Sequence, residues 1–157
     1  MQVAIIFGSE SDKAVMQGAA DCLKQFDISF QAYVLSAHRV PELLSETLQQ
    51  LEQEGAQVII AGAGLAAHLP GVIASKTTLP VIGVPIKAAL AGLDALFSIV
   101  QMPKSIPVAT VGINNSFNGA MLAVQILALG DQGLQQKLQQ YRQAMQEKCS
   151  TQIHIDL

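Results

Sequence analysis

Short apolar runs alternate with longer stretches of helical spacing along this chain. Residues 2–7, "QVAIIF", form a β-branched run that stops at Gly8. Such a run predicts a strand buried on both faces. Residues 13–26 carry Val15, Met16, Ala19, Ala20 and Leu23 at helical spacing, with Ser11 or Asp12 placed to cap them. Residues 29–34 predict a second strand. Residues 41–54 predict a second helix, with Pro41 suited to its first turn and Leu44, Leu48 and Leu51 on one face. Residues 57–61 read as a third strand, followed by a Gly-rich loop and a helix over 69–76. A fourth strand is expected over 80–84, a helix over 92–101 and a fifth strand over 106–111. Residues 117–130 form a helix that is apolar nearly all round, with Gln125 the exception. The last helix, 132–146, is Gln-rich and carries a stripe of Leu134, Leu138, Tyr141 and Met145.

Strands that alternate with helices imply parallel βαβ units, hence an α/β fold built as a three-layer α/β/α sandwich. Five strands suggest the flavodoxin-like order 2-1-3-4-5. No repeat or linker divides residues 1–157, so one domain is expected, with a C-terminal helix and tail from about residue 131. Residues 58–74 look membrane-like on hydropathy alone. They also hold glycines, His68 and Pro70 and are slightly short, so they read as strand, loop and helix. The helix over 117–130 needs cover on two sides. Either a neighbouring copy supplies it or the last helix of the same chain does.

Composition adds to this picture. Half of the 157 residues are hydrophobic and 13% are charged, against about 25% in an average soluble domain. A domain with so little charge would expose apolar surface, which predicts a homo-oligomer. The net charge of −3 argues against a nucleic-acid partner bound by phosphate neutralisation. No membrane partner is expected. The opening "MQVAIIFGSESD" has no basic start and turns polar at once, so no export signal is expected. Cys22 and Cys149 are isolated, which suits a reducing cytoplasm.

In sheets of this kind, ligands bind beyond the carboxyl ends of the strands, at the switch point of the strand order. Three loops should meet there: "GSESD" (residues 8–12), "LSAHRV" (35–40) and "GAGLAAHLPG" (62–71). The first places Ser9, Ser11 and free backbone N–H groups at a helix start, which suits a phosphate. No GK[ST] follows it, so it is not a P-loop, and a plain capped helix is the competing explanation. In the second loop, Arg39 offers a planar fork for an anion, at a helix start where the helix dipole alone does not favour it. His38 beside it is the side chain type that gives and takes a proton near neutral pH. A loop histidine bonded to a backbone carbonyl is the plainer alternative. In the third loop, residues 62–67 match the loose dinucleotide pattern GxGxxA. No Asp or Glu occurs between Glu54 and Asp94 to hold a ribose, which argues against NAD. What remains is a loop, with Gly64 in it, whose backbone can approach a ligand closely. Lys76 and Lys87 are the only charges from residue 55 to 93, a field that favours an anion. His68 is either a second polar contact in the site or a residue that shapes its own loop. His154 in the tail is a bystander. No histidine or cysteine pair has metal-ligand spacing, so no metal is expected. Cys22 falls mid-helix on a packed face, so no Cys–His nucleophile pair is expected either.

The segments "GSESD", "SAHRVP", "GAGLAAHLPG", "LPVIGVP" and "SIVQMPKSIPVAT" resemble, in the same order, the class I PurE family, the N5-carboxyaminoimidazole ribonucleotide mutases of purine biosynthesis. The resemblance runs from about Val3 to Leu129. It implies a flavodoxin-like homo-octamer with sites at subunit contacts and no metal or organic cofactor. It implies transfer of a carboxylate from the exocyclic nitrogen of an imidazole ribonucleotide to ring carbon 4. His38 would protonate the carbamate nitrogen and later take the proton from carbon 4. Ser9, Asp12 and Arg39 would bind substrate, with Ser11 and Ser36 nearby and His68 lining the pocket. A lyase that carboxylates aminoimidazole ribonucleotide with free carbon dioxide, and a non-catalytic nucleotide-binding protein, are the alternatives. The chain departs from the family pattern at Leu65, which stands for the usual glycine. It departs again in "PIKAALAG" and "GINNSFNGAMLA", which run one and two residues short.

Overall fold

The fold was analysed in a computed structural model that describes residues 1–151 and 153. Its centre is a parallel five-stranded sheet in the order β2-β1-β3-β4-β5, the expected flavodoxin-like order. The strands are β1 (Val3–Phe7), β2 (Phe30–Val34), β3 (Val58–Gly64), β4 (Val81–Ile86) and β5 (Ala109–Thr110). The helices are α1 (Lys13–Gln25), α2 (Pro41–Gln53), α3 (Leu69–Ala74), α4 (Leu93–Val100), α5 (Ser116–Ala128) and α6 (Gln132–Thr151).

Strand alternation divides the core into two halves. Val3, Ile5 and Phe7 face the layer of α1, α5 and α6, whereas Ala4 and Ile6 face α2, α3 and α4. Every residue of β1 and β4 is buried, as parallel strands covered on both faces require. Each fully buried Leu or Ile contributes about 1.5–3 kcal/mol relative to exposure. β2 is an edge strand, and its Gln31 and Ala32 are exposed.

Small residues set how closely the layers approach. A Cβ on Gly62 would collide with the sulfur of Met16, and one on Gly83 would collide with Ile99. The two glycines therefore seat α1 and α4 tightly on the sheet. α1 and α5 also meet closely, where the buried Ser116 hydroxyl donates to the Val15 carbonyl. α2 ends on Gly55 in the left-handed region at φ +84°, and the following Ala56 N–H bonds back to the Leu51 carbonyl at 2.9 Å.

The observed elements differ from expectation in places. β3 and β4 run further toward their carboxyl ends, and α6 continues to Thr151. β5 shrinks to two paired residues. Pro107 has no N–H for a sheet ladder, and Ser105, two residues before it, takes a positive φ, so the extended run is interrupted at its start. The apolar α5 is covered by its own chain, on the sheet and against α1 and α6. α6 anchors through Leu134 and through Tyr141, whose ring lies 5.4 Å from that of Phe26. Lys137 ties it to Asp27 at 2.7 Å. Among the described residues no helix is long and apolar enough to cross a membrane. His154 lies outside the described residues.

Candidate active site

The loops after β1, β2 and β3 come together at the carboxyl edge of the sheet around a cavity of about 460 Å³. Ser9, Ser11 and Asp12 line it from the first loop. Ser36, His38 and Arg39 line it from the second, and Gly64 and His68 from the third. Each residue singled out in the sequence as a site candidate therefore borders one cavity. Lys76 and Lys87 do not line it, so the charged side chains at its wall are Asp12 and Arg39.

The first loop leaves β1 at Gly8 and makes a 3-10 turn over Glu10–Asp12 before α1 begins. Ser9 caps this turn, and Asp12 takes the cap position of α1. The Ser9 hydroxyl oxygen accepts from the Ser11 N–H at 3.4 Å and from the Ser11 hydroxyl at 3.0 Å. The side-chain cap sits at the turn, the first point where backbone N–H groups lack partners. Asp12 makes no capping bond. Its carboxyl is held above its ordinary value, chiefly by loss of solvent, with hydrogen bonds from the Ser9 backbone and the Ser11 side chain acting the other way.

Ser36 shapes the second loop. Its carbonyl accepts from the Val40 N–H at 3.0 Å, and its hydroxyl accepts from the Arg39 N–H at 3.3 Å. This tight turn sends the adjacent side chains of His38 and Arg39 to different loops. Arg39 reaches the first loop, where Nη2 donates to the Gly8 carbonyl at 3.2 Å. His38 reaches the third loop, where Nε2 lies 2.8 Å from His68 Nδ1. The two imidazoles meet edge to face, with ring centres 4.9 Å apart and planes at 75°.

The third loop bends sharply to bring His68 there. The Ala67 N–H donates to the Leu65 carbonyl at 2.8 Å, and the His68 N–H donates to the Ala66 carbonyl at 2.6 Å. His68 then opens α3, accepting from the Val72 N–H at 2.9 Å. Gly64 serves packing as well as the cavity, since a Cβ there would lie 3.1 Å from the Ile86 carbonyl oxygen. A fourth loop contributes too. Ala88, after β4, lines the cavity, as do Ala37, Leu65, Ala66, Ala67 and Leu69. These apolar residues carry no chemical signature in sequence. The one available signal for Ala88 was the strand order, which places the end of β4 beside that of β3.

The site joins an imidazole pair, able to pass one proton across a single hydrogen bond, to a guanidinium, three hydroxyls and a carboxyl. Small apolar residues wall the remainder. Cys22 stays outside this chemistry. It is fully buried, and burial pushes its thiol up to about 11, which disfavours the reactive thiolate. Cys149 is exposed on α6.

Comparison with known proteins places these features in a family. The AIR carboxylase family model matches residues 2–148. The chain is 54% identical over 145 residues to the N5-carboxyaminoimidazole ribonucleotide mutase of Pyrococcus abyssi, covering 92% of this chain and 83% of that protein. It is 50% identical over 150 residues to the Escherichia coli protein of the same name, covering 94% and 89% respectively. A crystal structure of Treponema denticola PurE superposes with a TM-score of 0.89 at 27% identity, covering 98% of this chain and 99% of that one. With the sheet order, the loop motifs and the match over nearly its whole length in agreement, this chain belongs to the AIR carboxylase (PurE) family.

Proposed function

We propose that this protein is a mutase of purine biosynthesis, an isomerase that converts N5-carboxyaminoimidazole ribonucleotide to 4-carboxy-5-aminoimidazole ribonucleotide. The observation that carries the mechanism is the divergence of His38 and Arg39 from one turn, one toward His68 and the other toward the Gly8 loop. Arg39 with Ser9, Ser11 and Ser36 holds the 5′-phosphate, using the N–H groups of the guanidinium that Gly8 does not occupy. Asp12 accepts hydrogen bonds from the ribose hydroxyls. The imidazole end then lies toward His38 and His68, with Gly64 and its alanine neighbours against the ring.

His38 gives a proton to the carbamate nitrogen as the N–C bond breaks, which leaves the free amine and carbon dioxide. Ring carbon 4 attacks that carbon dioxide and forms the new C–C bond. His38 then takes the proton from carbon 4, which restores its starting state. His68 holds the other side of the shared hydrogen bond and so fixes the direction in which His38 presents its ring. No cofactor is needed, because both proton transfers use one group and the carboxylate is its own source of carbon dioxide.

The same reading makes the protein a cytoplasmic homo-oligomer, an octamer in the family's manner. Two surfaces support association. Leu93, Phe97 and Val100 form an apolar stripe along α4 and are 47–56% exposed. The part of α6 beyond Tyr141 is exposed throughout, although helices of this kind draw most of their stability from packing.

One assay separates mutase, carboxylase and binding protein. Purified protein receives N5-carboxyaminoimidazole ribonucleotide in buffer stripped of bicarbonate. Full-rate conversion to the 4-carboxy isomer is expected. Turnover seen only with aminoimidazole ribonucleotide and added bicarbonate would replace the mutase with the carboxylase. No turnover under either condition would leave a binding protein.

A further inference from the structure

We propose that Leu65 is a retaining residue of the site, an apolar side chain at the cavity rim that keeps carbon dioxide in and water out between the two half-reactions. This rests on the mutase reading above. Leu65 has φ +56°, in the left-handed region that glycine and asparagine adopt readily and leucine does not. The loop imposes that conformation. Leu65 follows the last residue of β3, and the two tight turns after it carry the chain to His68. A glycine would meet the backbone requirement without strain.

Nor does the core account for a leucine here. Its side chain is 55% exposed and belongs to neither core cluster. It does line the cavity, among small neighbours: Ala63, Gly64, Ala66, Ala67 and Ala88. Leu69, the other leucine on the wall, is 3% exposed and so forms part of the inner wall. Leu65 is thus the large apolar side chain at the opening, held there at a conformational cost. Strain of this kind persists where function selects it.

The reaction gives that position a task. Breaking the carbamate N–C bond, with a proton delivered to nitrogen, yields aminoimidazole ribonucleotide and carbon dioxide. If the carbon dioxide escapes, the amine is released as a side product and no C–C bond forms. If it stays, carbon 4 can take it up as the carboxylate, and no free amine accumulates. An apolar rim favours the second course, since it shields a small neutral molecule and admits little water.

The test compares the parent with Leu65→Asn and Leu65→Met. Asparagine tolerates the left-handed backbone and is polar; methionine keeps the apolar bulk. Each protein is given N5-carboxyaminoimidazole ribonucleotide in buffer containing ¹³C-bicarbonate. Released amine, corrected for spontaneous loss without enzyme, and ¹³C in the 4-carboxy product are both measured. Leu65→Asn is expected to release several-fold more amine per turnover and to take up more label, while Leu65→Met stays close to the parent. Its melting temperature is expected to be no lower than the parent's, and its oligomeric state unchanged. Equal partition in the parent and Leu65→Asn would overturn the proposal, as would Leu65→Met leaking as much as Leu65→Asn. A smaller oligomer would reassign Leu65 to a subunit contact, and a lower melting temperature would remove the strain argument. A parent that converts no substrate would instead sink the mutase reading itself.

Discussion

His38 and His68 are 30 positions apart in the chain, yet their ring nitrogens lie 2.8 Å from each other. One hydrogen bond between two imidazoles holds one proton, so one ring donates and the other accepts. That arrangement fixes the direction of the His38 ring without a carboxylate partner. His38→Asn is expected to lower kcat by about 10²–10⁴-fold, the usual weight of a positioned acid–base group, while product binding measured by calorimetry survives. A variant turning over near the parent rate would remove His38 from the mechanism. Asp12 shows the opposing demand of stability. Loss of solvent holds its carboxyl above the ordinary value. A raised carboxyl binds its proton more tightly in the folded state than in the unfolded one. Its contribution is therefore favourable at low pH and is lost as pH rises from the unfolded value through the raised folded one. Asp12→Asn is expected to have a higher urea midpoint than the parent at pH 7 and an unchanged one at pH 3. A midpoint lower than the parent's at pH 7 would show that the carboxylate is satisfied there. In the proposed function the acid at this position serves the ribose as an acceptor.

At the scale of elements, β4 and its neighbours show how small residues position large ones. Gly83 leaves room for Ile99 of α4 and for Val108 before β5. Gly83→Ala is expected to cost about 1–3 kcal/mol, the usual range for overpacking, read as a lower urea midpoint with an unchanged slope. No loss of stability would mean that α4 can slide outward freely. Most elements were legible because their signals are local: β-branched runs for strands, leucines at helical spacing for α2. Asp12 stands at the cap position of α1 but makes no capping bond; the 3-10 turn that Ser9 closes ahead of it has no distinct apolar period to reveal it. The fifth strand was overextended because its β-branched residues outweighed Pro107. α5 had two possible coverings in sequence, and the fold chose its own α1, α6 and sheet.

The whole molecule carries little charge and leaves apolar surface uncovered. The α4 stripe of Leu93, Phe97 and Val100 is continuous along one helix face, with exposed Leu90 just before it. Light scattering is expected to give a multiple of the chain mass, and Phe97→Glu is expected to lower that multiple. A monomeric parent would refute this use of the composition. The helix over 117–130 had two possible sources of cover in sequence, because an apolar helix reveals the need for cover but not its source; its own chain supplies it.

The sequence by itself determined the order of elements, the parallel sheet and the three loops that meet at its carboxyl edge. Periodicity is a local property, and βαβ crossovers permit few topologies. It also marked the polar residues of the cavity, since they fall in the loops that a parallel sheet of this order brings together at its carboxyl edge. Only the tertiary structure decided that His38 meets His68, that Arg39 turns to Gly8, and that Ala88 joins from a fourth loop. Those contacts depend on the path of loops whose ends are fixed by strands far apart in sequence. The left-handed backbone at Leu65 belongs with them, for it follows from the turn that His68 requires and not from any preference of leucine.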